Sequence, residues 1–165
     1  MKNYLLATIL LSLISFPNQS WAAKDWGLGV IIASPTGFSV KHRMSQKNSF
    51  DGALGYSLGN REYLHVHGTY LWEFDKGLHI DQVALGYYFG LGAALFSWDN
   101  RDDRPPWVDE DNDDELGLAV RGSAGINYYF NDPSFELFAE LAMYFFFIPE
   151  TDIDFGLAIG ARYFF

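Results

Sequence analysis

The sequence predicts an all-β fold, an eight-stranded antiparallel up-and-down transmembrane β-barrel. Three observations carry this. Polarity alternates with period 2 over nearly every segment after an apolar leader, while the helical spacing i, i+3, i+4, i+7 is nowhere sustained. The two alternating rows differ in volume: one is Trp, Phe, Tyr, Leu and Ile, the other mostly Gly, Ala and Ser with a few long charged residues. The chain also closes on a strand with an aromatic end, in which Phe155, Leu157, Ile159, Ala161, Tyr163 and Phe165 form one face, and Gly156, Ala158, Gly160, Arg162 and Phe164 the other.

Residues 1–22 read as a secretory signal. Lys2 charges a short n-region, Tyr4 to Phe16 is the apolar core, and Ser20-Trp21-Ala22 is a small-x-small cleavage pattern. The core is shorter than the roughly 20 apolar residues of a membrane-spanning helix. Residues 23–165 are then the exported barrel domain. There is no Cys, so no disulfide framework holds it.

The first strand is expected over Trp26–Ala33, with Trp26, Leu28, Val30 and Ile32 outward, and ends at the turn Ser34-Pro35-Thr36-Gly37. The second covers Phe38–Met44, with Ser39, Lys41 and Arg43 inward, and turns at Ser45 to Asn48. The third is Ser49–Leu58, with Asp51, Ala53 and Gly55 inward, followed by Gly59-Asn60-Arg61. The fourth is Glu62–Phe74, with His65, His67, Thr69 and Glu73 inward, and Asp75-Lys76-Gly77 is its turn. The fifth runs from Ile80 to Phe96, its bulky row of Tyr87, Phe89, Leu91 and Leu95 set against Gly86, Tyr88, Gly90, Gly92 and Ala94. Ser97 to Glu115, with two Pro and many acids, is the long loop. The sixth strand is Leu116–Phe130, with Arg121 inward, and Asn131-Asp132-Pro133-Ser134 turns the chain. The seventh is Phe135–Phe147, with Glu136 and Glu140 inward. Pro149 to Asp152 leads to the eighth, Phe155–Phe165.

Volume decides which row faces out. The interior of an eight-stranded barrel is only just wide enough for side chains to fill it. The bulky row would overfill that space, so it belongs against lipid, and a soluble lipocalin-like barrel is disfavoured. Aromatic girdles are expected at both ends: Trp26, Phe50, Trp72, Phe74, Phe130, Phe135 and Phe165 at one, Phe38, Phe96, Phe145, Phe147 and Phe155 at the other. Export places both termini in the periplasm, so the acidic loop 97–115 is extracellular.

The inward row carries Lys41, Arg43, Asp51, His65, His67, Glu73, Arg121, Glu136, Glu140, Asp154 and Arg162. Charges in a narrow lumen must be paired or hydrated, so this set reads as a lumen charge network. Counting from each turn puts Asp51 beside Lys41 and Arg43, Arg162 near Glu136 or Glu140, and Arg121 level with Glu140. A salt-bridged plug is favoured over a gated pore or proton path. His65 and His67 share one face and would need a third ligand such as Glu73 to hold a metal; histidines satisfied within the lumen are favoured, and no metal or cofactor is expected.

The formal charge is −10, and Lys2 is the one charge before position 23, so the exported chain carries 10 basic and 21 acidic residues, a net of −11. That balance argues against nucleic acid as a partner. Asp99 to Glu115 holds nine acids against two Arg. A cation-binding loop at Asp109, Glu110, Asp111, Asp113, Asp114 and Glu115 is the sharper reading, but the spacing is not an EF-hand's: Asp114 stands at the Gly position and Val120 at the closing Glu. No Ser/His/acid grouping is apparent near the outer rim, so no catalytic residues are assigned and an enzyme is not expected.

The chain resembles small eight-stranded outer-membrane barrels of the OmpA/OmpX type, and more narrowly a family of uncharacterised bacterial outer-membrane β-barrel proteins. The residues that carry the likeness are Gly27-Leu28-Gly29, Ser34-Pro35-Thr36-Gly37-Phe38-Ser39-Val40-Lys41, Ile148-Pro149-Glu150-Thr151 and Gly160-Ala161-Arg162-Tyr163-Phe164-Phe165. The resemblance implies a porin-like fold in a Gram-negative cell envelope, contact with outer-membrane lipid and lipopolysaccharide, and recognition by barrel-assembly machinery through the strand ending at Phe165. Three of the four outer loops are very short, unlike adhesive members of the OmpX type. A monomeric barrel with a structural or surface-interaction role is expected, ahead of a narrow pore for protons or small ions and, more distantly, a lipid-modifying outer-membrane enzyme.

Overall fold

The computed structural model describes residues 24–57, 63–80, 83–98, 116–130 and 134–165. Eight strands follow one another: β1 Trp26–Ala33, β2 Thr36–Arg43, β3 Asn48–Ser57, β4 Tyr63–Ile80, β5 Val83–Trp98, β6 Leu116–Phe130, β7 Phe135–Ile148 and β8 Asp152–Phe164. Each pairs antiparallel with its neighbours, and β1 pairs with β8 from Gly27↔Phe164 to Ala33↔Ala158, which closes the barrel. The end where β1 starts and β8 finishes is the terminal end; the opposite is the loop end.

Alternation sets the faces as expected. Leu28, Phe38, Leu54, Trp72, Leu91, Leu141 and Leu157 are exposed on the outside, and Phe38 reaches 74%. The apolar exterior continues over all eight strands, far beyond the isolated patches that a protein in water presents.

Several strand boundaries differ from the sequence reading, most by one or two residues. β2 begins at Thr36, because Thr36 and Gly37 already pair with Tyr56 and Gly55. β4 does not end at the Asp75-Lys76-Gly77 signal. Phe74 pairs with Tyr87 and Leu78 with Leu85, so β4 takes four steps where β5 takes two, and the extra residues form an irregularity within the ladder. The reversal falls instead between Ile80 and Val83. β5 runs on through Ser97 and Trp98, so the long loop starts two residues later than its polarity implies. β8 begins at Asp152, paired with Phe146.

Phe96 is also corrected. The sequence suggests a place in the loop-end girdle, yet Phe96 is 5% exposed and packs inside with Trp98, Tyr144 and Phe146. Its even position gives it the same side as Tyr88 and Ala94, and parity overrides its likeness to a girdle residue.

The small inward residues turn out to seat rings. Tyr88 lies across from Gly125, Phe138 across from Gly160 and Phe164 across from Gly27. A Cβ on Gly125 would sit 2.3 Å from the Tyr88 ring, and one on Gly160 2.3 Å from the Phe138 ring. The inward Gly row thus lets aromatic rings lie flat on the neighbouring strand, and the interior fills without being wide.

Candidate functional site

The lumen is where the chemistry-bearing residues converge, and it has two halves. Toward the terminal end, Lys41 on β2 is fully buried. Its Nζ donates to Glu73 Oε2 (2.9 Å), Glu136 Oε1 (2.9 Å) and the Tyr129 hydroxyl (2.8 Å), which uses all three ammonium protons. Arg162 on β8 is equally committed. Its Nε donates to Ser39 Oγ (2.9 Å), Nη1 to Glu136 Oε2 (3.1 Å) and Nη2 to Asp51 Oδ2, while its guanidinium lies 3.9 Å from the Phe138 ring centre. Glu136 therefore bridges two cations. Glu73 accepts further bonds from Ser49 Oγ, the Tyr129 hydroxyl and Asn127 Nδ2.

Nearer the loop end, Arg121 on β6 donates to Glu140 and to Thr69 Oγ1 (2.8 Å), with the Tyr144 hydroxyl 3.4 Å from its Nε. Among the described residues, three deeply buried cations thus face four buried carboxylates, Asp51, Glu73, Glu136 and Glu140. Arg43, expected beside Asp51, stands apart from this set: it is half-buried at the terminal mouth, 4.2 Å from the Tyr129 ring centre, and among the described residues forms no ion pair with an Asp or Glu side chain. A low-dielectric interior tolerates such a set because each charge meets an opposite charge and further hydrogen bonds.

Beyond Arg121 the lining becomes aromatic. Ala94, Phe96, Trp98, Ala119, Ala142, Tyr144 and Phe146 form one buried cluster, joined by Tyr63. The β1–β2 turn covers this end: Pro35 is buried against Gly55, and Ser34 Oγ lies 3.3 Å from the Tyr63 hydroxyl. His65 belongs to this half. It stacks on Phe96 at 4.4 Å and 19°, and among the described residues neither of its ring nitrogens has a hydrogen-bond partner.

Most of the predicted network is therefore brought together, with different partners in places. Lys41 does sit opposite Asp51 in the β2–β3 register, yet its ammonium bonds Glu73 and Glu136, and Asp51 takes Arg162 instead. Arg162 pairs with Glu136, while Glu140 goes to Arg121. His67 turns Nε2 toward Asp51 Oδ1 at 3.5 Å. Glu73, the third ligand considered for a metal, is held by Lys41 and Ser49, and among the described residues no group of three or more His, Cys, Asp or Glu is placed to hold a metal ion.

Asp154 has inward parity but lies apart from the network. It is exposed at the loop end, where its Oδ1 accepts the Phe155 N–H at 2.8 Å. Leu157 and Phe155 turn their backbone groups to the same edge; the Leu157 carbonyl takes the Ser34 N–H, and above that point β1 has ended. Asp154 thus covers a backbone donor that β1 leaves behind. Asp109, Glu110, Asp111, Asp113, Asp114 and Glu115 lie outside the described residues, as do residues 1–22, expected to be a signal.

Sequence reasoning missed the hydroxyl and amide members, Ser39, Ser49, Thr69, Asn127 and Tyr129, and the aromatic cluster. All are inward by parity; the usable signal was a large inward side chain with glycine on the adjoining strand.

No protein-family model matches the chain, and no curated protein matches it. Among solved structures, the chain is similar to the crystal structure of the N-terminal β-barrel domain of Pseudomonas aeruginosa OprF, at a TM-score of 0.61 and 15% identity, covering 85% of this chain and 95% of that one. At that identity the likeness is one of fold, a closed β-barrel.

Proposed function

We propose that the chain is an integral outer-membrane barrel with a closed lumen and a structural or surface-interaction role. Both termini are periplasmic and the acidic segment 99–115 is extracellular. The observation that carries this reading is the lumen itself, crossed by paired charges in one half and packed rings in the other, inside an exterior that is apolar on every strand. Eight strands leave no aqueous channel once such side chains are in place.

The outer surface is then what the protein offers to others. The segment Asp99–Glu115 carries a net charge of −7, nine acids against two Arg, which suits divalent cations bridging to anionic surface glycolipid. The strand ending at Phe165 suits recognition by barrel-assembly machinery, and the chain acts as a monomer.

Gel migration tests the barrel. The purified protein should need detergent and migrate differently before and after boiling. A protein soluble without detergent, with identical migration, would contradict the membrane reading.

A second reading, a narrow path for protons or small ions, is favoured by one observation. Among the described residues, both nitrogens of His65, His67 Nδ1, Ser123 Oγ and Asn127 Oδ1 are buried without hydrogen-bond partners at several levels of the lumen, and Asp51 Oδ1 faces only His67 Nε2, at 3.5 Å. Planar-bilayer recording separates the two readings.

A further inference from the structure

At the terminal mouth, outside the lumen network, a cavity of about 100 Å³ opens between the ends of β6, β7 and β8. Two cations line it. Lys24, just before β1, extends its Nζ to Ser134 Oγ at 3.0 Å. The Arg43 guanidinium, at the end of β2, lies 4.2 Å and 4.0 Å from the ring centres of Tyr129 and Phe164.

These cations differ from those in the lumen. Lys41, Arg121 and Arg162 each meet a carboxylate, whereas among the described residues neither Lys24 nor Arg43 forms an ion pair with an Asp or Glu side chain. Two positive charges and a hydroxyl thus line one small cavity. The rings of Tyr129 and Phe164 lie against the guanidinium, whose N–H groups are the donors a ligand would meet. Those donors and an ammonium suit a tetrahedral oxyanion.

The opposite wall is apolar. Phe130 and Phe135 line the same cavity, their ring centres 6.2 Å apart. Both belong to the outward row at the end of the barrel, the level at which aromatic belts mark the membrane–water interface. The pocket straddles the boundary where phospholipid phosphates lie. We propose that it is a binding site for a phosphate ester, supplied by a phospholipid headgroup at this end of the barrel. The proposal rests on the membrane-barrel reading above.

The test uses the full exported chain in a phosphate-free sugar detergent. Native mass spectrometry measures retention of phosphatidylglycerol against uncharged diacylglycerol, and phosphorus NMR follows inorganic phosphate. The wild type should retain one phosphatidylglycerol and no diacylglycerol. Lys24→Gln with Arg43→Gln should weaken retention about tenfold or more, the order expected on losing charge-assisted hydrogen bonds. Should Arg43→Gln fail to fold, Lys24→Gln and Ser134→Ala carry the comparison.

Inorganic phosphate that binds and displaces the lipid supports a site that reads the phosphate group. Phosphate binding without lipid binding overturns the lipid source. Equal retention of both lipids, or retention unchanged in the variants, overturns the site. Gel migration of the same samples keeps the failures apart: a heat-modifiable protein that binds neither ligand loses only this site, whereas one without heat modifiability loses the membrane reading.

Discussion

The two halves of the lumen solve one problem in different ways. Toward the terminal end, Lys41, Arg162, Glu73, Glu136 and Asp51 fill the space with charges that satisfy one another. Toward the loop end, Phe96, Trp98, Tyr144 and Phe146 fill it by packing, and the His65 nitrogens among them bond to no described residue. The first half depends on every partner being present, because an unpaired charge in such a place is very costly. The second depends on volume, and its cost scales with the cavity that a truncation leaves. Substitutions should therefore fail differently in the two halves.

The largest effect is expected at Glu136. Glu136→Ala leaves Lys41 and Arg162 facing each other without the carboxylate that bridges them. Reversible denaturant unfolding in lipid vesicles should show a loss of about 5 kcal/mol, the upper range for breaking a buried ion pair. A loss under about 1 kcal/mol would mean that water, not pairing, supports these charges.

Next comes the aromatic half. Phe96→Ala should cost about 3 to 4 kcal/mol in the same measurement, because its ring is enclosed by His65, Tyr144, Trp98 and Phe146. Phe96→Leu should recover most of that, and an equal loss in both variants would contradict a cost set by volume.

Arg121 and Glu140 sharpen the comparison. Arg121→Met and Glu140→Leu each strand one charge, but together they strand none. A double-mutant cycle should return a coupling of about 2 kcal/mol, with the double variant more stable than the sum of its parts. Additive losses would show that the pair is not a unit.

The smallest effect is expected at His65. Its ring stacks on Phe96 and its nitrogens bond to no described residue, so His65→Phe keeps the packing and removes two buried polar atoms. Stability should change by no more than about 1 kcal/mol, in the stabilising direction if at all. A large loss would reveal a polar role for His65.

The same contrast explains what was legible in the sequence. Eight strands and their faces follow from period 2 and from volume, because the inside and outside of a narrow barrel cannot hold the same side chains. Pairing was legible only to the level of the backbone. Lys41 stands opposite Asp51, but a four-carbon stem reaches Glu136 on β7 across the lumen, and no count along a hairpin shows that. Asp75-Lys76-Gly77 reads as a turn because a bulge and a reversal draw on the same residues. Phe96 and Trp98 read as girdle and loop because an aromatic near a strand end suits either side; parity, and Gly117 beside Trp98, place them within.

In the proposed reading, charge pairs and rings together close the lumen. Single-channel recording of the refolded wild type in a planar bilayer tests it most directly. A closed barrel gives no stable unitary conductance, with or without substitutions in the acidic segment 99–115. Stable unitary steps in the wild type, whose size changes when Arg121 or Glu140 is replaced, would contradict the account and make the lumen a pore.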